Sequence, residues 1–298
     1  MTFSVAAWRE YAANMARLLA DGPVQSFGED PAVDLVPTTG HAAGGRVVLC
    51  SPHPDDEAIV GLLPLRLRQE ADCRVINLLF TLGSDRTRRG ERCREAAASS
   101  RLSGFEVLLA AEPEGLDRLS LRELREDRPR FESMVDLVAS RLTDLRPDLV
   151  VYPHPHDGHP THEAVAAIVT EALRRRAQAG AAAILAVQTE CWRQLQQPNL
   201  LVGAGAGDVG RLCAAIAAHA GEVARHPYHR RQPVRMLENA FRGSELVRGF
   251  GSGGESPLFG ELYRLGIFDG AGFAAAAAAM LPASTRISLG SLRALAGR

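Results

Sequence analysis

The sequence contains no lysine, so all 34 of its basic residues are arginine. The acidic residues number 35, which leaves a formal net charge of −1 and no basic run. That balance excludes a general binder of nucleic acid or of a membrane surface. No segment approaches the roughly 20 consecutive apolar residues that a membrane span requires. We therefore expect a chain that neither binds nucleic acid nor inserts into a membrane, and whose partner is a small molecule.

The cysteines form no CxxC pair, are widely dispersed and are odd in number. We interpret them as reduced core residues, not as a disulfide framework or a thiolate metal site. They are Cys50, Cys73, Cys93, Cys191 and Cys213. The N-terminal segment also lacks the apolar core of a signal peptide, because Arg9, Glu10 and Arg17 interrupt it. Both features predict a cytoplasmic protein.

Strand-like and helix-like segments alternate from residue 46 to residue 189. The apolar, β-branched runs that predict buried strands are 46–50, 73–80, 105–110, 148–152 and 183–189, and the segments with helical periodicity between them are 58–69, 89–102, 131–145 and 163–177. This alternation predicts an α/β fold with a Rossmann-like, doubly wound, mostly parallel sheet. The region after Glu190 is less regular and predicts a smaller, irregular C-terminal lobe.

The same patterns suggest three parts of the chain. Residues 1–44 are predicted to form an N-terminal extension with one amphipathic helix at Val5–Ala20. Residues 45–270 are predicted to form the catalytic domain, with a Gly/Ser-rich loop at Gly243–Pro257. Residues 271–298 are predicted to form an Ala-rich helix with a tail, because alanine is the strongest helix former.

Signatures of two other enzyme classes are missing. No GxSxG motif marks a serine nucleophile. The first predicted strand is followed by SPHPDDE and not by a glycine-rich turn. Such an acid-rich loop disfavours phosphate, which argues against a nucleotide-dependent oxidoreductase or transferase.

Metal-competent side chains are concentrated directly after two of the predicted strands. Ser51–Ala58 (SPHPDDEA) follows the first strand, and Tyr152–Ala164 (YPHPHDGHPTHEA) follows the fourth. Ligands of open α/β sheets bind beyond the carboxyl ends of the strands, so both segments should face one crevice. Imidazole and carboxylate suit zinc, and a catalytic zinc typically keeps about three protein ligands and one open position.

We assign His53, Asp56 and His162 as the metal ligands. Asp55 then points elsewhere and is interpreted as the general base that takes a proton from metal-bound water. His159 is expected either to stabilise the oxyanion when it is protonated or to donate a proton to the leaving amine.

Residues beside these motifs receive supporting assignments. Glu57 and Asp157 are candidates for orienting a liganding imidazole, and His156 is expected to line or rim the site. The cluster Arg86, Arg88 and Arg89 has two interpretations, either a solvated surface or a contact for a phosphate or carboxylate.

PHPDDE followed about a hundred residues later by GHPTH resembles the LmbE/PIG-L family of zinc N-deacetylases. The resemblance extends in outline from about Arg46 to about Phe268 and implies the metal triad, base and histidine named above. It also places Arg92, in the R-x-x-E pattern with Glu95, among the candidate substrate contacts. Asp157 occupies a substrate-contacting position of some members.

The resemblance implies a hydrolase that removes an acetyl group from an N-acetylglucosamine-type sugar or glycoside. Zinc is the expected metal, although the ligand set also accepts Fe2+ or Co2+. One alternative is an amidase that uses the same site on a larger acyl or thiol conjugate. Another is a non-catalytic, zinc-containing sugar-binding module. The sequence leaves homo-oligomerisation open.

Overall fold

The structure is a computed structural model that describes residues 4–21, 43–251 and 255–297. Within these residues nine strands form one sheet. The strands are β1 Arg46–Ser51, β2 Arg74–Leu79, β3 Glu106–Leu109, β4 Leu149–Pro153, β5 Ile184–Thr189, β6 Leu200–Ala204, β7 Phe259–Asp269, β8 Gly272–Ala275 and β9 Ala279–Leu281. Their order is β3-β2-β1-β4-β5-β7-β6-β9, and β8 pairs with β7.

The described residues also form eleven helices and one 3-10 turn, Arg86–Arg88. The helices are α1 Val5–Asp21, α2 Asp56–Ile59, α3 Leu62–Ala71, α4 Arg89–Ser103, α5 Leu121–Glu126, α6 Arg128–Leu145, α7 Pro160–Gln178, α8 Ala206–Ala217, α9 Ala220–Val223, α10 Tyr228–Arg248 and α11 Leu289–Ala296. None of these helices is both long and apolar enough to cross a bilayer.

The first five strands are parallel and follow the order 3-2-1-4-5. This is the arrangement of a Rossmann-like half sheet, in which the strand order reverses between β1 and β4. Alternate side chains of β1 enter two different cores. Val47 and Leu49 pack with α3 and α8, whereas Val48 and Cys50 pack with α6 and α7. The sheet is thus covered on both faces, and the prediction of a Rossmann-like, mostly parallel α/β fold is confirmed.

The C-terminal part continues the sheet instead of leaving it. β7 runs antiparallel between β5 and β6, and β9 adds parallel to β6. The prediction of a helix over the alanines is wrong, because residues 272–275 and 279–281 are strands that pair with β7 and β6. Backbone pairing at a sheet edge here outweighs the intrinsic preference of alanine for helix. The predicted loop at Gly243–Pro257 also begins later, since α10 continues to Arg248.

The predicted N-terminal helix is present as α1, and its described side chains are all exposed. Its apolar residues include Trp8 and Leu18, which are 59% and 75% exposed. A hydrogen bond joins α1 to α10, from Arg230 to the carbonyl of Ala20. The Gly/Pro/Asp-rich connection that follows it in the sequence lies outside the described residues.

A buried arginine fastens the C-terminal segment to the rest of the fold. Arg66 of α3 is fully buried and donates to Oε1 of Glu70 at 2.6 Å. It also donates to four backbone carbonyls, those of Gly203, Pro282, Ala283 and Thr285. A buried guanidinium is tolerated only where acceptors surround it in this way.

Replacing this guanidinium should therefore destabilise the protein strongly. We expect Arg66→Met to lower the free energy of unfolding by about 3 kcal/mol or more, because the buried carbonyls lose a charged donor. Urea denaturation measures the loss. Arg122→Met is the matched control, since Arg122 is exposed and pairs only with Glu126, and it should change stability by about 0.5 kcal/mol or less. Equal effects of the two substitutions would contradict a structural role for Arg66.

Candidate active site

The two histidine-containing turns meet at one edge of the sheet. β1 and β4 are neighbours with parallel register, Val47 opposite Leu149, so their carboxyl ends coincide. His53 and Asp56 follow β1, and His159 and His162 follow β4 at the start of α7. This edge is also the point where the strand order reverses, which is where open α/β sheets bind ligands.

Asp56 lies at the centre of the cluster. Its Oδ2 is 3.4 Å from Nδ1 of His53 and 3.3 Å from Nε2 of His162. The same oxygen accepts a hydrogen bond from the backbone N–H of His53 at 2.8 Å. Two groups of donor atoms each lie within 4.8 Å of one another, one from His53, His159 and His162 and one from Asp56, His162 and Cys191. The structure therefore brings the three predicted ligands together.

His162 provides the test of whether these residues fit a metal ion. Its side chain is 1% exposed. Neither ring nitrogen makes a well-aligned hydrogen bond within the described residues, although carboxylate oxygens of Asp56 and Asp157 lie 3.3 and 3.2 Å away. Burial alone would lower the pKa of His162, but the negative charges of Asp56 and Asp157 raise it to about 10. The same charges would hold a cation beside His162. Imidazole and carboxylate donors in this arrangement fit zinc or a similar divalent ion.

Asp157 contacts Nδ1 of His162, the ring nitrogen opposite the one that faces Asp56. Its Oδ1 is 3.2 Å from Nδ1 of His162, and its Oδ2 accepts from the backbone N–H groups of Cys191 and Trp192. A carboxylate at this nitrogen fixes the orientation of a liganding imidazole. Asp157 is 0% exposed and His156 is exposed, and neither lines the cavity described below. Substrate contact by Asp157 and His156 stays a prediction, whereas the position of Asp157 fits its other predicted role beside the His162 ring.

Asp55 has an unusual backbone conformation beside the candidate metal ligands. Its φ of 110° is in the left-handed region, where a non-glycine residue costs about 1–3 kcal/mol. Its N–H donates to Oε2 of Glu57 at 3.0 Å. Burial, reinforced by the charges of Asp56 and Glu57, raises the pKa of Asp55 well above its ordinary value. The predicted base therefore stands beside the ligands without joining them.

A fully buried hydrogen bond between Glu57 and His219 lies beneath this strained residue. Oε1 of Glu57 is 2.8 Å from Nε2 of His219, and both side chains are 0% exposed. Glu57 was predicted to orient a liganding imidazole, but it contacts His219 and the Asp55 backbone instead. Burial raises the pKa of Glu57, but His219 and other donors lower it to below its usual value. His219, between α8 and α9, has no motif around it that would predict this role.

His159 lies between the metal cluster and solvent. Its Nδ1 accepts a hydrogen bond from the N–H of Thr161 at 3.3 Å, which assigns the remaining ring proton to Nε2. Its ring stacks on Trp192 with the centroids 5.3 Å apart, and Trp192 is 57% exposed. Burial and the neighbouring histidines lower the pKa of His159 to about 4. A pKa this low favours an uncharged imidazole at neutral pH, which acts as a hydrogen-bond donor through Nε2.

A cavity of about 810 Å³ opens above these residues. Its floor includes His53, Asp55, Asp56 and His159, and Arg92 also lines it. Arg92 donates to the carbonyls of Leu82 and Pro54, so it ties two loops together at the cavity wall. Several lining residues were not predicted from the sequence, namely Cys191, His226, Tyr228, Arg231, Gln232 and Arg235.

These features define an α/β protein whose sheet edge carries a candidate metal centre at the floor of a cavity. Residues 48–173 match the sequence profile of a family described as GlcNAc-PI de-N-acetylase (PIG-L). This match over residues 48–173 confirms the resemblance noted in the motifs. No curated protein sequence matches the chain.

Solved structures with the same fold include two deacetylases and one hydratase. N,N'-diacetylchitobiose deacetylase from Pyrococcus horikoshii is 18% identical, with a TM-score of 0.54 over 86% of this chain and 92% of that chain. The A40926 pseudoaglycone deacetylase is 15% identical, with a TM-score of 0.54 over 74% and 96%. The 4-carboxy-2-hydroxymuconate hydratase from Pseudomonas putida KT2440 is 16% identical, with a TM-score of 0.52 over 74% and 95%. At these identities the likeness establishes the fold alone.

The buried pair beneath Asp55 leads to a prediction about stability. His219→Leu leaves the Glu57 carboxylate buried without its partner, so we expect the free energy of unfolding to fall by about 3–5 kcal/mol. Chemical denaturation at neutral pH measures this. The double variant Glu57→Gln with His219→Gln, which keeps a neutral pair, should recover part of the loss. A single variant as stable as the parent would rule out the pair as a stabilising contact.

The donor cluster leads to a prediction about metal binding. Protein stripped with a chelator and reloaded with Zn2+ or Co2+ should bind one ion, and His162→Ala should bind it at least about tenfold more weakly, because a ligand is lost. Calorimetric titration and elemental analysis give the affinity and stoichiometry. His156→Ala is the control, since His156 is exposed and outside the cavity. Undiminished metal affinity in His162→Ala would reject the assignment.

Proposed function

We propose that the protein is a metal-dependent hydrolase that removes an N-acetyl group from an N-acetylglucosamine-type sugar or glycoside. One observation carries the proposal. Oδ2 of Asp56 lies 3.4 Å from Nδ1 of His53 and 3.3 Å from Nε2 of His162. His53, Asp55 and Asp56 line a cavity, and all of these residues lie within the segment that matches the de-N-acetylase family. The fold alone does not choose the reaction, since its neighbours include a hydratase.

His53, Asp56 and His162 would hold the metal, and zinc is the ion that suits this donor set. When bound, a divalent ion supplies an activated water and polarises the amide carbonyl. The protein fixes two of these ligands through neighbouring groups. The backbone N–H of His53 holds the Asp56 carboxylate, and Asp157 fixes the His162 ring.

Asp55 would accept the proton that the attacking water loses. Its carboxylate lines the cavity next to the ligands and is not one of the clustered donors. The left-handed backbone at Asp55 gives it this separate direction from Asp56. The same carboxyl group can then return the proton to the nitrogen of the leaving amine, because burial favours its protonated form.

His159 would donate a hydrogen bond to the carbonyl oxygen, where negative charge develops during attack. The contact from Thr161 N–H to Nδ1 leaves Nε2 as the donor, and stacking on Trp192 holds the plane of the ring. A donor fixed in advance in a water-poor site stabilises developing charge without reorganising. This role requires a neutral imidazole.

Acetate release tests the proposed function directly. N-acetylglucosamine, N,N'-diacetylchitobiose and N-acetylated glycosides are incubated with metal-loaded protein, with and without a chelator. The proposal expects acetate and free amine in equal amounts, and loss of both with the chelator. Release of a larger acid from longer N-acyl substrates, with none from N-acetyl sugars, would favour the amidase alternative. Metal and sugar binding with no turnover on any acylated amine would favour the binding module.

Asp55 gives the sharpest test of the mechanism. Asp55→Asn should retain metal, since Asp55 is not among the clustered donors, and should lose at least about a hundredfold in kcat, because a general base contributes about that much or more. Metal content and the rate of acetate release are measured on the same preparation. Asp144→Asn, an exposed carboxylate on α6, controls for the substitution itself. Parental turnover in Asp55→Asn would remove Asp55 from the mechanism.

A further inference from the structure

Positive charge exceeds negative charge on the cavity walls. The arginines that line the cavity are Arg86, Arg92, Arg118, Arg225, Arg231 and Arg235. The carboxylates that line it are Asp55, Asp56, Asp117 and Glu222. Two of these carboxylates, Asp55 and Asp56, belong to the candidate metal centre, where a divalent ion would offset their charge. The lining arginines therefore outnumber the lining carboxylates that could balance their charge.

Half of these arginines already lie within ion-pair distance of a carboxylate of the protein. Arg86 pairs with Asp117, and Arg225 pairs with Glu222. Arg92 lies 3.5 Å from Glu222. The other two arginines of the predicted Arg86, Arg88 and Arg89 cluster are also paired. Arg88 pairs with Glu91 and Glu222. Arg89 pairs with Glu114 and Asp117. These ion pairs exclude that cluster as a free anion site.

The other three lining arginines have no carboxylate within ion-pair distance in residues 4–21, 43–251 and 255–297. They are Arg118, Arg231 and Arg235. Arg235 is the most enclosed of them, and it donates to the backbone carbonyls of Ile59 and Glu190. Carbonyl acceptors fix the position of this guanidinium, and the carboxylates of Glu190 and Glu261 also act on its charge. Arg118 and Arg231 have no such fixed acceptors within the described ranges, and unpaired guanidinium groups at a cavity wall attract an anionic ligand.

Helix α10 places two of these cations one turn apart. Arg231 and Arg235 are four residues apart, which puts them on one face of the helix. Tyr228 and Gln232 occupy neighbouring positions on this face, and both also line the cavity. The face therefore offers two guanidinium groups together with a hydroxyl donor, whereas the Gln232 amide already donates to the Ile59 carbonyl and to Glu261. Planar guanidinium groups of this kind bind carboxylate and phosphate oxygens in pairs of hydrogen bonds.

Arg118 is held at the cavity by a strained loop. Its φ of 41° lies in the left-handed region, at a cost of about 1–3 kcal/mol. Arg86 and Arg89 hold the preceding side chain, Asp117. Arg130 donates to the backbone carbonyls of Asp117 and Arg118. The surrounding contacts thus maintain a costly conformation, and its result is a guanidinium at the cavity wall.

We propose that Arg118, Arg231 and Arg235 form an anion subsite, and that the N-acylated amino sugar bound here carries a phosphate or carboxylate group. This inference rests on the proposed function, because it concerns the part of the same substrate that lies away from the acetyl group. The candidate metal centre takes the amide at the cavity floor, and the arginines take the anion at the walls.

The experiment compares three forms of one sugar on the metal-loaded enzyme: N-acetylglucosamine, its 6-phosphate and its 6-carboxylate. We expect kcat/KM to be at least about tenfold higher for one or both anionic forms, since charge-assisted hydrogen bonds contribute that much or more. The phosphate and carboxylate arms show which anion the subsite prefers. Equal values for all three sugars would overturn the inference and leave the proposed deacetylation intact.

Variants connect this preference to the named residues. Arg231→Gln and Arg118→Gln change exposed side chains, so both should fold, which thermal melting verifies. In each, the ratio of anionic to neutral kcat/KM should fall severalfold, and in the double variant it should approach one. Arg122→Gln, an exposed arginine on α5 outside the cavity, should keep the full ratio. An unchanged ratio in the double variant would exclude these residues as the subsite.

Binding without turnover separates the two proposals. Metal-loaded Asp55→Asn is titrated calorimetrically with the same three sugars. Tighter binding of an anionic sugar, weakened by adding Arg231→Gln, would support the subsite even if no acetate were released from any sugar. That combination would reject the proposed function alone. Binding of the anionic sugars no tighter than that of the neutral one would reject the subsite.

Discussion

The candidate site depends on the Asp56 carboxylate, which faces His53 from its own turn and His162 from a turn more than a hundred residues away. This contact is possible because β1 and β4 are parallel neighbours whose carboxyl ends share one edge. The same negative charge that raises the pKa of His162 is what makes the cluster attractive to a divalent cation.

Buried polar contacts of Glu57 fix the turn next to the candidate metal ligands. The Glu57–His219 pair is fully buried and fixes the turn that contains Asp55. Buried pairs add little net stability, because desolvation offsets most of their attraction. The contribution of the Glu57–His219 pair is geometric, since Oε2 of Glu57 accepts a hydrogen bond from the N–H of Asp55 and so supports its left-handed backbone. Adjacent carboxylates in one tight turn can thereby serve different purposes.

The sequence predicted the parts of the site that are encoded locally. The PHPDDE and GHPTH motifs follow strands that their apolar runs reveal, and a parallel sheet brings such turns together whatever lies between them. The residues of α10 were not predictable in this way, because Arg231 and Arg235 resemble ordinary surface arginines until the antiparallel strands of the C-terminal region place the helix against the cavity. Likewise, the alanines of β8 and β9 have no strand signal, and only their pairing with β7 and β6 makes them strands. The sequence left two roles open for Asp157, orienting an imidazole or contacting substrate, since spacing does not tell which face of a turn is buried.

Cys191 gives the cluster a chemical character that histidine and carboxylate alone would lack. Its sulfur lies 3.8 Å from Oδ1 of Asp56, and burial raises the pKa of the thiol well above its ordinary value, so it is uncharged while no ion is present. A thiophilic ion that displaced this proton would gain a sulfur donor, whereas magnesium or calcium would gain nothing. The cluster should therefore bind soft metals such as cadmium more tightly than a centre built only from nitrogen and oxygen donors would. Cadmium in the surroundings should accordingly compete more strongly for this protein than for a protein with such a centre.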